Sequence, residues 1–597
     1  MKGIVMNIKE TIAVIAEKYG LYVSEESFET KIKDAIVQIL NQVPKDKKIA
    51  IRGAGEHTRE LLSLEGLTAG FECILDYASL EKGTCEIAGK EWDIYPSSAI
   101  DELDIDIVVV SSYTHRKRIY EELEKNGEQF EIIDLYEELQ KMNLNVNAPF
   151  YKNAEDTYEN VIYYRKVYLT DKNALNLKNL IVAYLKIYDF INFRKYVREY
   201  IDNGYEDSEH IEMAFNEIQL LLQRVKTQLK SRAQRDIIVI WNDQVGYCDL
   251  QYAAYMEKIS KNSMFFENAY TMTPFTMPTF FEMFQRLKSL DDGIYHKPRF
   301  VTNRENSEVI RDLESAGYEF VYIGDEASAT IFETDNTMPS YPYNSSCIRC
   351  VDLLQKLLNT EKPVCVILHA LTETHNPYLS GELDSAKWYE WPRFEGGSEE
   401  IALEQMKESL AYWDKQLEYY MGFMPETCIK LFMSDHGKRY NCQPIYKDPT
   451  THILFFIVGD NVPQKRCKKM FSLYDFCKVI RSIIKNDYQE ADIFDEYVLM
   501  QETNIFHNAT VEYYIENNVE ERSYAWRAVR TEEELYVKLS SGKKYYYLIP
   551  DEQNNCIAQA DEKRIKWLDE LAGDKFEDAS DYAEKLAFFR KQFETHE

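Results

Sequence analysis

The sequence predicts an α/β protein. A large domain with a mostly parallel central sheet follows a smaller α/β unit and a helical connector. Three observations carry this. Short apolar runs ending in polar residues recur after position 235: DIIVIWND, FVYIGD (320–325), VCVILHAL (364–371), IKLFMSD (429–435) and HILFFIVGD (452–460), with helical segments between them. A shorter set of the same kind lies in KIAIRGAG (48–55), FECILD and DIDIVVVSS (104–112). Between the two sets, 151–234 shows helical spacing, as in LKNLIVAYLKIYDFINFRKYVREYI.

Taken in order, 1–45 is expected to be a helical segment. Its first twenty residues carry Lys9, Glu10 and Glu17, which break any continuous signal-peptide core. Residues 46–145 form the small Rossmann-like unit. Gly53 and Gly55 give GxGxx, with Thr58 where a third glycine would stand, and Asp76 ends the second strand. Two readings stay open there: nucleotide binding, or a scaffold used for packing. Residues 146–234 are the helical, repeat-like connector. The large domain spans 235–500. Residues 501–597 make a small antiparallel sheet and a terminal amphipathic helix over DASDYAEKLAFFRKQFETHE. The SG at 541–542 suits a hairpin turn.

The totals limit the partners. The 597 residues suffice for several domains at about 150 residues each. The formal net charge is −31, and a surface so acidic repels nucleic acid and anionic membranes. No apolar run is long enough to span a bilayer. The cysteines number eleven and lie scattered, which fits a reducing compartment, so a cytoplasmic location is expected. A lone C-x-x-C, Cys347 and Cys350, starts a helical pattern and lacks the second pair a zinc site needs.

The chemistry gathers at strand ends. Asp243 follows DIIVIWN, His375 lies beyond the 364–371 run, Asp435 and His436 follow IKLFM, and His452 opens the next run. Ligands of such sheets bind at the carboxyl ends of strands. Carboxylate with imidazole is a ligand set for zinc or manganese; calcium or magnesium would favour oxygen alone. A threonine-rich stretch, FENAYTMTPFTMPTFFEMF (266–284), precedes a helical pattern. Either it is a capped turn, or one hydroxyl is a nucleophile facing a metal and a phosphate.

With those residues in view, the region about 235–560 resembles the sulfatase branch of the alkaline-phosphatase-like superfamily. DIIVIWNDQVGYCDL is similar to the opening strand of sulfatases, where two aspartates precede LGYGDL. Asp243 matches the first, Gln244 replaces the second, and Gly246, Tyr247, Asp249 and Leu250 are retained. FENAYTMTPFTMP resembles the segment leading into C-x-P-S-R. Thr276 then takes the place of the nucleophilic cysteine, Pro278 matches the proline, and Phe280 replaces the arginine. Without the cysteine the formylglycine nucleophile cannot be made. A threonine nucleophile with SDHG resembles the phosphoethanolamine transferases and lipoteichoic-acid synthases. THILFFIVG and HNPY resemble superfamily motifs that nominate His452 and His375. AWRAVRTEEELYVKLSSGKKYYYLIPDEQNN (525–555) resembles the C-terminal sulfatase subdomain.

The resemblance implies a metal-dependent phosphotransferase. Thr276 is the nucleophile, with Thr273 and Thr279 as alternatives under a slip in register. Asp243, Thr276, Asp435 and His436 hold one Zn²⁺ or Mn²⁺. His375 or His452 acts as acid to the leaving alcohol. His369 and Lys438 are candidates for substrate binding, Lys438 otherwise being a solvated surface lysine. The donor is a phosphorylated small molecule or lipid-like phosphodiester, and the acceptor a glycan or other alcohol. The alternatives are a phosphodiesterase, phosphatase or sulfuric-ester hydrolase with the same site, and a non-catalytic scaffold. A homo-oligomer is compatible with either.

Overall fold

Ile237–Asn242 is buried at every position and lies in mid-sheet, where its two neighbours bring further chemistry to its carboxyl end. The computed structural model describes residues 7–22, 28–76, 79, 81–112, 119–120, 123, 130–142, 144, 157–294, 301–333, 336–340, 344–375, 378–384, 389–390, 393–394, 399–438, 444–502 and 524–576.

The chain divides into two units. One comprises Met1–Ile15, Ala214–His375 and Met406–Glu597, the other Ala16–Met213 and Asn376–Gln405. The first holds an eight-stranded sheet. Its order is Thr337–Ser340, Glu319–Asp325, Val364–Ala370, Ile237–Asn242, Ile429–Met433, Phe455–Val458, Met264–Tyr270, Lys465–Ser472. Phe455–Val458 runs antiparallel to both neighbours; every other pairing is parallel. The mostly parallel sheet read from the apolar runs is therefore present. Alternate residues Ile237, Val239 and Trp241 point to one face, where they join Phe280, Phe281, Met283 and Phe284 of the helix Thr276–Gln285 in one core. That burial fixes the helix whose first residue is Thr276.

A four-stranded antiparallel sheet, Val498–Glu502, Trp526–Arg530, Glu534–Leu539 and Lys544–Leu548, belongs to the same unit. It begins at Val498, inside the stretch expected for the large domain, because Val498 and Met500 pack with Trp526, Tyr270 and Met470. Gly542 turns the last hairpin at φ +85, a conformation open to glycine at no steric cost. The helix expected over 578–597 lies outside the described residues.

The second unit carries a six-stranded sheet in the order Gly83–Ile87, Lys90–Pro96, Phe71–Asp76, Ile49–Arg52, Ile107–Val110, Glu131–Asp134. All pairings are parallel except the hairpin of the first two strands. Thr58, in place of a third glycine, bonds to the Gly53 carbonyl and to Ser111 Oγ. The helices Tyr158–Thr170, Ala174–Lys186 and Phe190–Asp202 follow; they bury Leu180, Tyr184, Phe193 and Tyr196, and Tyr184 stacks on Tyr196. Among the described residues no helix is long and apolar enough to cross a membrane.

Candidate active site

Three adjacent strands deliver the site. Asp243 follows Ile237–Asn242, and its amide donates to the Ala370 carbonyl on one neighbouring strand (3.0 Å). Asp435 and His436 follow Ile429–Met433 on the other side. Gln244 adopts φ +61, and its amide donates to Asp435 Oδ1 (3.0 Å). The His436 amide donates to the same oxygen (2.9 Å). Asp435 Oδ1 is thereby satisfied twice, while Asp435 Oδ2 is buried with no hydrogen-bond partner.

Asp243 shows the same asymmetry. Its Oδ2 accepts from Thr276 Oγ1 (3.2 Å) and faces His369 Nε2 (3.1 Å). Its Oδ1 is buried without a hydrogen bond. The His436 ring completes the group. Its Nδ1 lies 2.8 Å from the Gly437 carbonyl, which can only accept, so Nδ1 carries a proton. In the neutral ring Nε2 then offers a lone pair, 3.4 Å from Thr276 Oγ1 and 3.4 Å from Asp435 Oδ2. One donor atom each from Asp243, Asp435 and His436 lies within 4.8 Å of the others. Two dry carboxylates that each leave an oxygen unbonded are costly unless a cation joins them. The residues fit a divalent metal of the zinc or manganese class.

Thr276 is the first residue of its helix and is half-buried, so its hydroxyl lies at the electropositive helix end. The other threonines are engaged elsewhere. Thr271 Oγ1 donates to the Thr273 carbonyl (2.8 Å), and Thr279 Oγ1 to the Phe275 carbonyl (2.9 Å). Thr273 Oγ1 donates to Glu502 of the four-stranded sheet. Only Thr276, of the three nucleophile candidates, is bonded to the acid cluster.

The charges follow. Burial pushes the Asp243 carboxyl up, but the charge of His375 and the hydrogen bond and charge of His369 outweigh it and hold the group down at about 2. Burial pulls His369 down, yet its hydrogen bonds to Asp243 and Asp325 dominate and raise it to about 9. Burial raises Asp325 too, and His369, with help from Ser328 and Arg349, carries it well below the carboxylate range.

The remaining candidates divide. His375 has a side chain 30% exposed, with Nε2 3.9 Å from Asp243 Oδ1, so it stands at the mouth of the cluster. His452 is not brought to the cluster. Its Nε2 faces the Glu267 carbonyl (2.8 Å), its Nδ1 faces Asp448 Oδ2 (3.3 Å), and its ring lies between Tyr247 and Tyr270. Lys438 corrects both sequence readings. It is neither solvated nor turned to a substrate: its Nζ is buried against the Gln244 carbonyl (2.9 Å) and Asp249 Oδ2 (3.1 Å). His369 is likewise wholly buried and corrected as a substrate contact, because both ring nitrogens face protein partners. Asp325, Tyr322 and Arg349 were missed. For Asp325 alone a signal was present: FVYIGD also ends in an acid at the carboxyl end of a strand.

No protein-family model matches the chain, and no curated protein does. Solved structures match distantly. A 2-O GAG sulfatase is 13% identical, with 56% of this chain and 89% of that one covered at a TM-score of 0.41. The phosphonate monoester hydrolase of Agrobacterium radiobacter is 10% identical, with 60% and 95% covered at 0.40. A protein in the alkaline phosphatase superfamily from Vibrio parahaemolyticus is 11% identical, with 62% and 96% covered at 0.38.

Proposed function

We propose that this chain is a metal-dependent enzyme that cleaves a phosphodiester through Thr276. The observation that supports it is one cluster: Thr276 Oγ1 beside Asp243 and His436, with Asp243 Oδ1 and Asp435 Oδ2 buried and unbonded. Asp243, Asp435 and His436 would hold the cation, with the Thr276 hydroxyl next to them. A divalent cation there supplies two things, a lowered pKa for a nearby hydroxyl and compensation for charge on phosphoryl oxygens.

The chain's own residues do the rest. Thr276 Oγ1 loses its proton to water and forms a bond to phosphorus as the bond to the leaving alcohol breaks. The helix Thr276–Gln285 presents its electropositive end to the phosphoryl oxygens. His375, at the mouth, gives a proton to the departing alkoxide. Water then attacks phosphorus, the bond to Thr276 Oγ1 breaks and the hydroxyl regains a proton, which makes the chain a phosphodiesterase. Sulfate esters are disfavoured because position 276 holds threonine, from which formylglycine is not made.

A second reading ends the same intermediate on an alcohol, as in transfer of a phosphoethanolamine or phosphoglycerol group to a glycan. The threonine together with SDHG favours it. Intact-protein mass spectrometry after incubation with zinc and an aryl phosphodiester tests both. Wild type should gain the phosphoryl adduct and Thr276→Ala should not. An equal adduct on both proteins, or faster cleavage of an aryl sulfate than of the diester, would overturn the proposal. Release to water against capture by added glycerol or glucose separates the two outcomes.

A further inference from the structure

We propose that His369 is a positioning residue for the site, locking one oxygen of Asp243 so that the other stays directed at the cation. This rests on the metal reading above and adds to it a buried support that the sequence pattern did not reveal.

The sheet order explains the role. Val364–Ala370 lies between Glu319–Asp325 and Ile237–Asn242. His369 sits on this middle strand, near its carboxyl end, and its imidazole spans both neighbours. Nε2 lies 3.1 Å from Asp243 Oδ2 on one side. Nδ1 lies 2.9 Å from the Tyr322 hydroxyl and 3.5 Å from Asp325 Oδ2 on the other. The ring cannot swing away. Trp241 and Phe280 pack against it, with ring centroids 5.2 and 5.9 Å distant. Arg349, itself wholly buried, donates to the His369 carbonyl (2.8 Å) and to Ser340 Oγ (2.9 Å), which fixes the backbone beneath the ring.

A core histidine needs only two partners of any kind. Here one partner is a carboxylate whose second oxygen is orphaned at the metal cluster. The acid on the far side is equally specific. Asp325 caps the next helical turn through Ser328 (2.9 Å) and faces the same imidazole. The result is acid, imidazole, acid in a dry layer of the sheet, with Asp243 as its outward end. Free rotation of Asp243 would let either oxygen turn to Thr276, to His375 or to the cation. Holding Oδ2 removes that freedom, and outer-shell partners of this kind typically contribute 10–100-fold to metal affinity.

The test reads metal affinity directly. Wild type, His369→Leu, Tyr322→Phe and Asp325→Asn are stripped of metal, checked by circular dichroism and thermal melting, and titrated with Zn²⁺ against a chromogenic chelator. Kinetics on an aryl phosphodiester are measured beside them. His369→Leu should bind zinc 10–100-fold more weakly and lose kcat at little change in KM. Wild-type zinc affinity in a folded His369→Leu would overturn the proposal. Should His369→Leu fail to fold, Tyr322→Phe and Asp325→Asn decide: each removes an outer partner of the ring, and zinc affinity equal to wild type in both overturns the role. Wild type that binds no zinc or Mn²⁺ would sink the metal reading itself, a result distinct from a tight wild-type site that His369→Leu leaves intact.

Discussion

Gly437 touches Pro449: a Cβ added at Gly437 would lie 1.9 Å from the Pro449 carbonyl oxygen. The Gly437 amide also donates to the Thr450 carbonyl (2.7 Å). The segment 449–450 is thus a backstop for the loop that carries Asp435 and His436. Gly437→Ala must push the two backbones apart. The expected cost is about 1–3 kcal/mol, as for other overpacked sites. Zinc affinity should fall further than stability, since the displaced loop carries two of the three residues proposed to hold the cation. Parallel melting and chelator titrations check this; unchanged zinc affinity would mean the contact does not shape the site.

Thr276 and Thr273 make opposite predictions from a separation of three residues. Thr276 is half-buried and bonded only to the acid cluster, so Thr276→Ala should remove turnover while changing stability by less than about 0.5 kcal/mol. Thr273 bonds to a buried Glu502, whose carboxylate would lose this hydrogen bond in Thr273→Val. That variant should lose about 1–3 kcal/mol and keep its phosphothreonine adduct. Chemical unfolding and mass spectrometry on both variants separate nucleophile from scaffold.

The sequence made Asp243, Asp435 and His436 readable because each directly follows an apolar run, and parallel strands bring such ends to one edge. The support beneath them was harder to see. Lys438 carries a charge that looks solvated, yet its acid partner Asp249 lies 189 residues earlier in the chain. His452 begins a run like the others, but Phe455–Val458 is antiparallel to both neighbours, and its ring is taken up by Glu267, Asp448 and two tyrosines. His369 interrupts the apolar run VCVILHAL. A histidine within a wholly buried strand must find polar partners, and pairing across the sheet decides which ones.

Burial of Glu159 predicts a pH effect in the other unit. Glu159 lies in the first turn of the helix Tyr158–Thr170 and is raised to about 7, because burial dominates and neither carboxyl oxygen has a hydrogen-bond partner. The native state therefore binds this proton more tightly than the unfolded chain, whose carboxyl titrates near 4.5. Stability falls as pH rises from about 4.5 to about 7, by roughly 3 kcal/mol in all. Glu159→Gln has no charge to bury, so its stability relative to wild type should grow across that window. Urea unfolding of both proteins at pH 4.5 and 7.5 measures it; a constant difference would show that Glu159 titrates normally.

Arg530 ties the four-stranded sheet to the large one, and its loss should be felt at both. Its guanidinium is buried, 2.6 Å from Glu552 Oε1 and 3.4 Å from Asp448 Oδ2, and it lies 4.2 Å over the Tyr270 ring. Asp448 in turn holds His452 and directly precedes the 449–450 backstop of Gly437. Arg530→Met leaves two part-buried acids, Asp448 and Glu552, without their cation, which costs at most about 3–5 kcal/mol. Lysine cannot replace it, because one ammonium does not reach two carboxylates and stack on a ring at once. Arg530→Lys should therefore recover less than half of the loss. Both variants should also weaken zinc binding, since the disturbed segment supports the loop of Asp435 and His436. Wild-type unfolding midpoints in Arg530→Met would refute the network, and a large loss of stability with unchanged zinc affinity would confine its effect to the junction of the two sheets.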